Sequence, residues 1–538
     1  MPTHANRREF FTRIAAGSAA LTAASRPGRA QSLSIEPGSD RLRKAYRTRM
    51  RLADYYMNMG EVPHPTNGDE ERYSNKINSF SKTLLHDALG IVNREAYLSL
   101  ERAIRSGLAE DFEAVLRGGN VRLKNPTGGY NLQMLGADGS QFTMRAAPAF
   151  ASAEQAGEMV ELYWEALTRD IPFAHYDSDP TIRQACQELS RMSDFRGPKQ
   201  DGRVTPATIF RGARGNLVGP YISQFLLLPF RMGTTDVEQK QKSAVPGLEF
   251  LTDYSEWLGI QMGIGKGPGN KFEDTPRYIR NGRDLAHFVH YDSSFSPYYH
   301  ALWIILKYGS LAYFAGNPYL YATGQEPYVN FGQTDSFDYV SRGAKPAFNA
   351  AWWQKWFIHK RARPEVFGGR VYHHSVKTAV YPIHDDVLGS HALEQTIRKF
   401  GTHLLAQAYS EGSPAHSAYP SGHATVAGAC ATLMKAFFRE EYVVPEPVVA
   451  SADGLRLEPY NGPELTIANE LDKLAFNVAM GRNWAGIHWR TDATEGLQLG
   501  EDVAINLLRD MSSAYMDAFG GFTFTKFNGE TITVCGEC

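Results

Sequence analysis

Apolar residues in this chain recur mostly at spacings of three and four, the period of a helix with one buried face. Leu85, Ala88, Leu89, Val92 and Ala96 form one such series, and Met159, Tyr163, Ala166 and Leu167 another, with charged residues between them. Both predict helices that turn an apolar stripe to a core. The run from Ser421 to Phe437 is small or apolar almost throughout and predicts a buried helix behind Pro420. Gly, Pro, Ser and Asn cluster at Pro63 to Gly68, Gly265 to Asn270 and Ser413 to Pro420, which predicts loops there. Near the C-terminus the period changes to two. Phe522-Thr-Phe-Thr-Lys-Phe and Glu530-Thr-Ile-Thr-Val flank Asn528-Gly529, the pattern of a β-hairpin closed by a type I′ turn. The expected fold class is mainly α: a large helical bundle with a small C-terminal β-hairpin.

Composition narrows the function classes. With 56 Lys+Arg against 58 Asp+Glu and 43% hydrophobic residues, the chain is globular with a large core, and nucleic acid is not an expected partner. The four cysteines, at 186, 430, 535 and 538, are too few for a disulfide scaffold. Cys535-Gly-Glu-Cys538 lacks the second pair of a zinc site and reads as an optional disulfide. No run of about 18 uncharged apolar residues occurs; Ala301 to Ala315, the best candidate, is broken by Lys307, so no membrane span is expected. Residues 6–30 stand apart. Asn6-Arg7-Arg8-Glu9-Phe10-Phe11, then a weakly apolar stretch from Ile14 to Leu21, then Gly28-Arg29-Ala30 resemble a twin-arginine export signal. Residues 1–30 are therefore expected to be an export signal and 31–538 a helical domain, periplasmic or secreted.

The residues with chemistry lie in three stretches of the last third. The first is Trp352-Trp353-Gln354-Lys355 with Arg363-Pro364, the second Pro420-Ser421-Gly422-His423, and the third Arg482, Gly486, His488 and Asp492. Singly each is weak: Lys355 and Arg363 read as a solvated face, Ser421 as a helix N-cap, and His488 between Ile487 and Trp489 as a core residue. Together they describe an oxyanion site. The helix after Pro420 offers free N–H groups and the positive end of its dipole, Ser421 adds a hydroxyl donor, and Gly422 permits close approach. Lys355, Arg363 and Arg482 supply three cations. His488 is placed to attack or ligate the central atom, Asp492 to fix its tautomer, and His423 to handle a proton.

Lys-x7-Arg-Pro, Pro-Ser-Gly-His and Arg-x5-His-x3-Asp, in this order, resemble the superfamily shared by type 2 phosphatidic acid phosphatases, bacterial acid phosphatases and vanadium-dependent haloperoxidases. Within it, the Lys355 to Arg363 spacing, His416 seven residues before His423, and Trp352 three before Lys355 resemble the bromoperoxidases. So do Thr66-Asn67-Gly68-Asp69-Glu70 and Gly215 to Tyr221, so that the similarity runs from about residue 40 to the end. The resemblance implies a helical bundle of the haloperoxidase and acid phosphatase type. It implies vanadate as cofactor, bound covalently by His488 and held by Lys355, Arg363, Ser421, Gly422 and Arg482, with His423 at its apical oxygen. His423, Lys355 and His416 would serve catalysis, with Asp492 and Trp352 behind them. The implied partners are hydrogen peroxide, halide, bromide first, and small organic acceptors, and the implied assembly is a homo-oligomer. Gln354 is neutral where some bromoperoxidases carry a basic residue, which bears on halide preference. The alternatives are a secreted acid phosphatase working through a phosphohistidine at His488, and a periplasmic oxyanion-binding protein.

Two weaker groupings remain. Phe331-Gly-Gln333-Thr-Asp335-Ser-Phe-Asp338 gathers oxygen donors and is a candidate structural calcium loop, although an ordinary turn explains it as well. Tyr298, Tyr299 and His300 read as core. Gly265 to Asn270 follows no strand and makes a poor phosphate loop.

Overall fold

The computed structural model describes residues 39–212 and 214–536. The export-signal candidate and Cys538 lie outside them. The chain divides into two units, Met1–Arg49 and Met50–Cys538. The described part of the first is the beginning of helix α1 (Ser39–Met59), where Arg43 pairs with Asp40 one turn away. Everything below concerns the second unit.

That unit is helical, with three two-stranded antiparallel hairpins among the described residues: β1–β2 (Phe230–Met232, Thr235–Val237), β3–β4 (Val448–Ala450, Leu457–Pro459) and β5–β6 (Phe522–Thr525, Thr531–Val534). The C-terminal hairpin forms, but one residue out of the register that a two-residue Asn528-Gly529 turn would set: Phe522 stands opposite Val534 and Phe524 opposite Ile532. Its turn differs from expectation. Five residues connect the strands, and Gly529 has φ +90° whereas Asn528 is not left-handed, so the type I′ turn is replaced by a Lys526–Gly529 turn closed by Gly529 N–H donating to Lys526 O.

The first predicted helix fails. Residues 85–92 form turns, and helix α2 (Arg94–Ser106) starts only after Asn93, whose side chain accepts from Glu95 N and Ala96 N. Upstream of that cap, Asp87 accepts from Leu89 N and Ile91 N, and Gly90 is left-handed at φ +66°. Side-chain capping and glycine chemistry outcompete the apolar periodicity. The second prediction holds: Met159, Tyr163, Ala166 and Leu167 are buried in α3 (Ala153–Thr168). Its charged residues are not on a solvated face, however. Glu158, Glu161 and Glu165 are buried too, the first two paired with Arg361 and Arg490.

Helices α4 (Gly282–Tyr291), α5 (Ser296–Leu306), α6 (Gln333–Trp353), α7 (Pro364–Ser375), α8 (Gly422–Phe437), α9 (Ile467–Trp484) and α10 (Arg490–Ser512) complete the frame around the last third. The expected buried helix from Ser421 is α8. It touches α10 through backbone: a Cβ at Gly428 would stand 2.1 Å from Leu497 O, and one at Gly500 2.0 Å from Thr425 O. Only glycine allows that approach, and it sets the first turns of the two helices side by side, with Ser421 N donating to Asp492 O at 2.9 Å. No helix among the described residues is long and apolar enough to cross a membrane. Tyr298, in α5, is fully buried and His300 packs on Phe230, as core residues do. Asp335, in the first turn of α6, accepts from Phe331 N and Tyr515 Oη, and Asp338 pairs with Arg342.

Candidate active site

Three helices begin around one point. Arg363 is the N-cap of α7 with Pro364 at its first position, Ser421 is the N-cap of α8 and accepts from Ala424 N, and Trp489 precedes α10. The Trp489 indole donates to Ala362 O at 3.0 Å and the Arg363 guanidinium to Ile487 O at 2.7 Å, which ties the start of α7 to the start of α10. Converging N-termini turn unsatisfied N–H groups and positive dipole ends to one place.

Lys355 sits where α6 runs into a π-helical turn, Gln354–His359, closed by Lys360 N–H donating to Lys355 O. The wide turn accommodates the seven-residue spacer before Arg363. Lys355 Nζ donates to Ser417 O (2.7 Å) and Ala418 O (2.8 Å), and so grips the loop before α8. Arg363 reaches His488 Nε2 at 2.8 Å and donates to His416 O at 3.1 Å. Arg482, near the end of α9, donates to Val289 O at 2.7 Å, and its Nε is buried with no partner among the described residues. All three cations are buried, and none pairs with a carboxylate at ion-pair distance among the described residues.

The consequence is a dehydrated excess of positive charge. Burial, reinforced by Arg363 and Arg482, holds the Lys355 ammonium well below its usual pKa, and burial brings Arg363 down to about 9. His488 and His416 are both pushed well below the usual imidazole range, by burial first and then by the cations around them. A site that disfavours the charged forms of Lys355, Arg363, His416 and His488 together is suited to an anion.

His488 Nδ1 donates to Asp492 Oδ2 at 2.7 Å, which leaves Nε2 unprotonated and facing Arg363. Asp492 is itself held by Arg361 at 3.0 Å, and Arg361 by Glu158 at 2.7 Å. The carboxylates thus stand behind His488 and the cations without a carboxylate partner in front of it. Trp352 packs on His416 with ring centroids 4.8 Å apart, and a Cβ at Gly422 would stand 3.2 Å from the Trp352 ring. His423, in the first turn of α8, lies 2.9 Å through Nε2 from Asp292 Oδ1. Burial lowers its pKa, with the fields of Arg482 and Lys355 adding to the shift and Asp292 opposing it.

The structure thus gathers Lys355, Arg363, His416, Arg482, His488 and Asp492 into one interacting cluster, with Ser421, Gly422, His423 and Trp352 at its edge. Gln354 is fully buried, its amide donating to Phe142 O at 2.7 Å. Asp292, Arg361 and Glu158 were not legible as site residues. Arg361 stands inside the Lys355 to Arg363 motif, so its proximity was the available signal; the other two carry none. The donor set fits vanadate. A tetrahedral oxyanion needs cations, N–H donors and one free imidazole nitrogen, and all three are present without a competing carboxylate.

Comparisons with known proteins identify the family. A family model described as the VCPO second helical-bundle domain matches residues 339–517. The vanadium-dependent bromoperoxidase of Ascophyllum nodosum is 34% identical over 523 residues, covering 92% of this chain and 93% of that protein. The vanadium-dependent bromoperoxidase of Corallina pilulifera is 31% identical over 595 residues, covering 92% and 98%. Among solved structures, the homohexameric second vanadate-dependent bromoperoxidase of Ascophyllum nodosum superposes with a TM-score of 0.88 at 29% identity, covering 99% of this chain and 94% of that one. With its fold and nearly its whole length shared with these proteins, the chain belongs to the vanadium-dependent bromoperoxidase family.

Proposed function

We propose that the protein is a vanadium-dependent haloperoxidase that uses hydrogen peroxide to oxidise halide, bromide first, by X⁻ + H2O2 + H⁺ → HOX + H2O, the hypohalous acid then halogenating organic acceptors. The observation that carries this reading is His488 Nε2, freed by the Nδ1–Asp492 pair and set among three buried cations that have no carboxylate partner among the described residues. Vanadate, when bound, supplies a Lewis-acidic centre that activates peroxide toward halide without changing its own oxidation state.

The remaining roles belong to the chain. His488 Nε2 is the ligand atom, and Asp492 holds the tautomer that frees it. Lys355, Arg363 and Arg482, with the Ser421 hydroxyl and the Gly422 N–H, are proposed to hold the oxyanion's charge. Because these groups are buried and fixed before any ligand arrives, they stabilise developing charge without reorganising. With Nε2 on Asp292, His423 keeps Nδ1 for delivering or accepting the proton that the reaction consumes. Trp352 and the Ser417 and Ala418 carbonyls hold His416 and Lys355 in place. The test is a peroxide-dependent bromination assay together with a vanadium determination.

Export rests on Arg7-Arg8 with the apolar stretch to Leu21 and Gly28-Arg29-Ala30, and is tested by locating the protein in fractions of the producing cell. Homo-oligomerisation is supported by the homohexameric relative and is tested by light scattering. A structural calcium at residues 331–338 forms no part of the proposal, because Asp335 Oδ2 already accepts from Phe331 N–H and Tyr515 O–H and Asp338 is paired with Arg342.

A further inference from the structure

We propose that the cavity between residues 120–124 and 263–266 collects halide for the active site, a reading that rests on the function proposed above. The cavity holds about 600 Å³ and is lined by Asn120, Arg122, Leu123, Lys124, Gly263 and Lys266 among others, with no carboxylate in its wall. Arg122, Lys124 and Lys266 are exposed, and none of them forms an ion pair among the described residues. The whole chain carries a formal charge of -2, so this positive pocket is a local feature and no reflection of the overall balance.

Both walls are fastened to the loop that carries the catalytic groups. Lys124 N donates to Ala415 O at 3.0 Å, one residue before His416. The Trp352 indole donates to Lys124 O at 3.1 Å while its ring packs on His416. On the other side, Ser410 Oγ donates to Lys266 O at 3.0 Å. The walls are joined to each other by Asn120 N and Val121 N, which donate to Gly263 O at 3.1 and 3.2 Å. Glu411, the acid on the 410–418 loop, is already paired with His290 at 2.7 Å. Unpaired cations in a concave pocket raise the local concentration of an anion and leave a neutral molecule unaffected, and salt within about a Debye length, ~10 Å at 0.1 M, erases the effect. Halide and peroxide, the two small substrates, differ in just this property.

Lys124 and Lys266 hold these walls through backbone atoms, so their side chains can be changed without cutting the contacts. The experiment compares the vanadate-loaded wild type with Arg122→Gln/Lys124→Gln/Lys266→Gln and with a control, Lys199→Gln/Lys307→Gln/Lys377→Gln, whose exposed lysines do not line the cavity. The cavity variant is expected to raise KM for bromide about tenfold at low salt, with KM for peroxide unchanged and the difference gone near 0.5 M salt, roughly as field screening requires. The control should leave both values alone. Independently of activity, the full chain without vanadate should broaden the ⁸¹Br resonance of bromide, and the cavity variant should broaden it less. Equal changes in the two KM values, no change in either, or broadening equal to that of the wild type would overturn the proposal. A wild type that brominates nothing after vanadate loading would instead overturn the proposed function, and this extension with it.

Discussion

His423 Nε2 and Asp292 Oδ1 lie 2.9 Å apart, joining the first turn of α8 to the residue that ends α4, 131 positions away in sequence. Asp292 Oδ2 is buried without a hydrogen-bond partner among the described residues, so the carboxylate's side-chain bond goes to His423. It favours the imidazolium and opposes the burial that lowers the His423 pKa. Asp292→Asn removes that support, so His423 should lose its proton at lower pH. The limb of the bromination pH profile that reports His423 is expected to move to lower pH, with turnover down about tenfold or more. Bound vanadium should stay near the wild-type level, because Asp292 bonds to His423 and to neither His488 nor the three cations. A loss of vanadium without a shift in the profile would assign Asp292 to architecture instead.

His488 and Asp492 form the ligand pair. His488→Ala should fold normally, as its melting curve will show, and lose tightly bound vanadium and bromination together. Asp492→Asn keeps the shape but weakens the tautomer, and should lower vanadate affinity about 10- to 100-fold. Undiminished turnover of His488→Ala at low vanadate would remove His488 from the site.

The three cations should differ in kind. Losing Arg363 or Arg482 deprives the anion of a charged hydrogen bond worth roughly 1.5–3 kcal/mol, hence about ten- to hundredfold in vanadate affinity. Lys355→Ala should lower turnover as well, because its ammonium also anchors Ser417 and Ala418. Full activity of Lys355→Ala at saturating vanadate would contradict that. Phosphate, tetrahedral and similarly charged, should slow vanadate reconstitution of the metal-free protein.

Much of this site is legible in the sequence, because its ligands are concentrated in short motifs at helix starts. Pro420-Ser421-Gly422-His423 announces both an N-cap and an anion cradle, and His488 with Asp492 four residues on announces a held imidazole. The burial of the α3 glutamates is not legible: period alone would put Glu158 and Glu161 outside, whereas Arg361 and Arg490 pair with them inside. Asp292 was invisible because its partner is brought in by tertiary packing alone. The missed α2 boundary has a local cause, since Asp87, Gly90 and Asn93 are turn and cap residues set within an apolar series.

Glu501 in α10 provides a test of folding energetics away from the site. Burial raises its pKa from 4.5 to about 7, with Lys435 opposing, while its carboxylate accepts from Phe527 N at 2.8 Å. A folded-state pKa above the unfolded value means that its contribution to stability is complete below about pH 4.5 and is lost as pH rises through about 7. Glu501→Gln keeps an acceptor for Phe527 and removes the buried charge. It should raise stability by roughly 1–3 kcal/mol at pH 8 and leave it unchanged at pH 4, read from guanidinium unfolding. An equal gain at both pH values would locate the effect in packing.

The central claim is that the three buried cations and the free His488 Nε2 form a vanadate site that supports halide oxidation. One titration tests it directly: metal-free protein receives vanadate in steps, and bound vanadium, peroxide-dependent bromination and phosphomonoester hydrolysis are measured at each step. The account predicts bromination rising in proportion to bound vanadium and levelling at about one per chain, as expected for a single imidazole ligand, with any slow hydrolysis by the metal-free protein vanishing in parallel. Efficient hydrolysis that vanadate merely inhibits, with no bromination at any loading, would contradict it and identify the protein as a phosphatase.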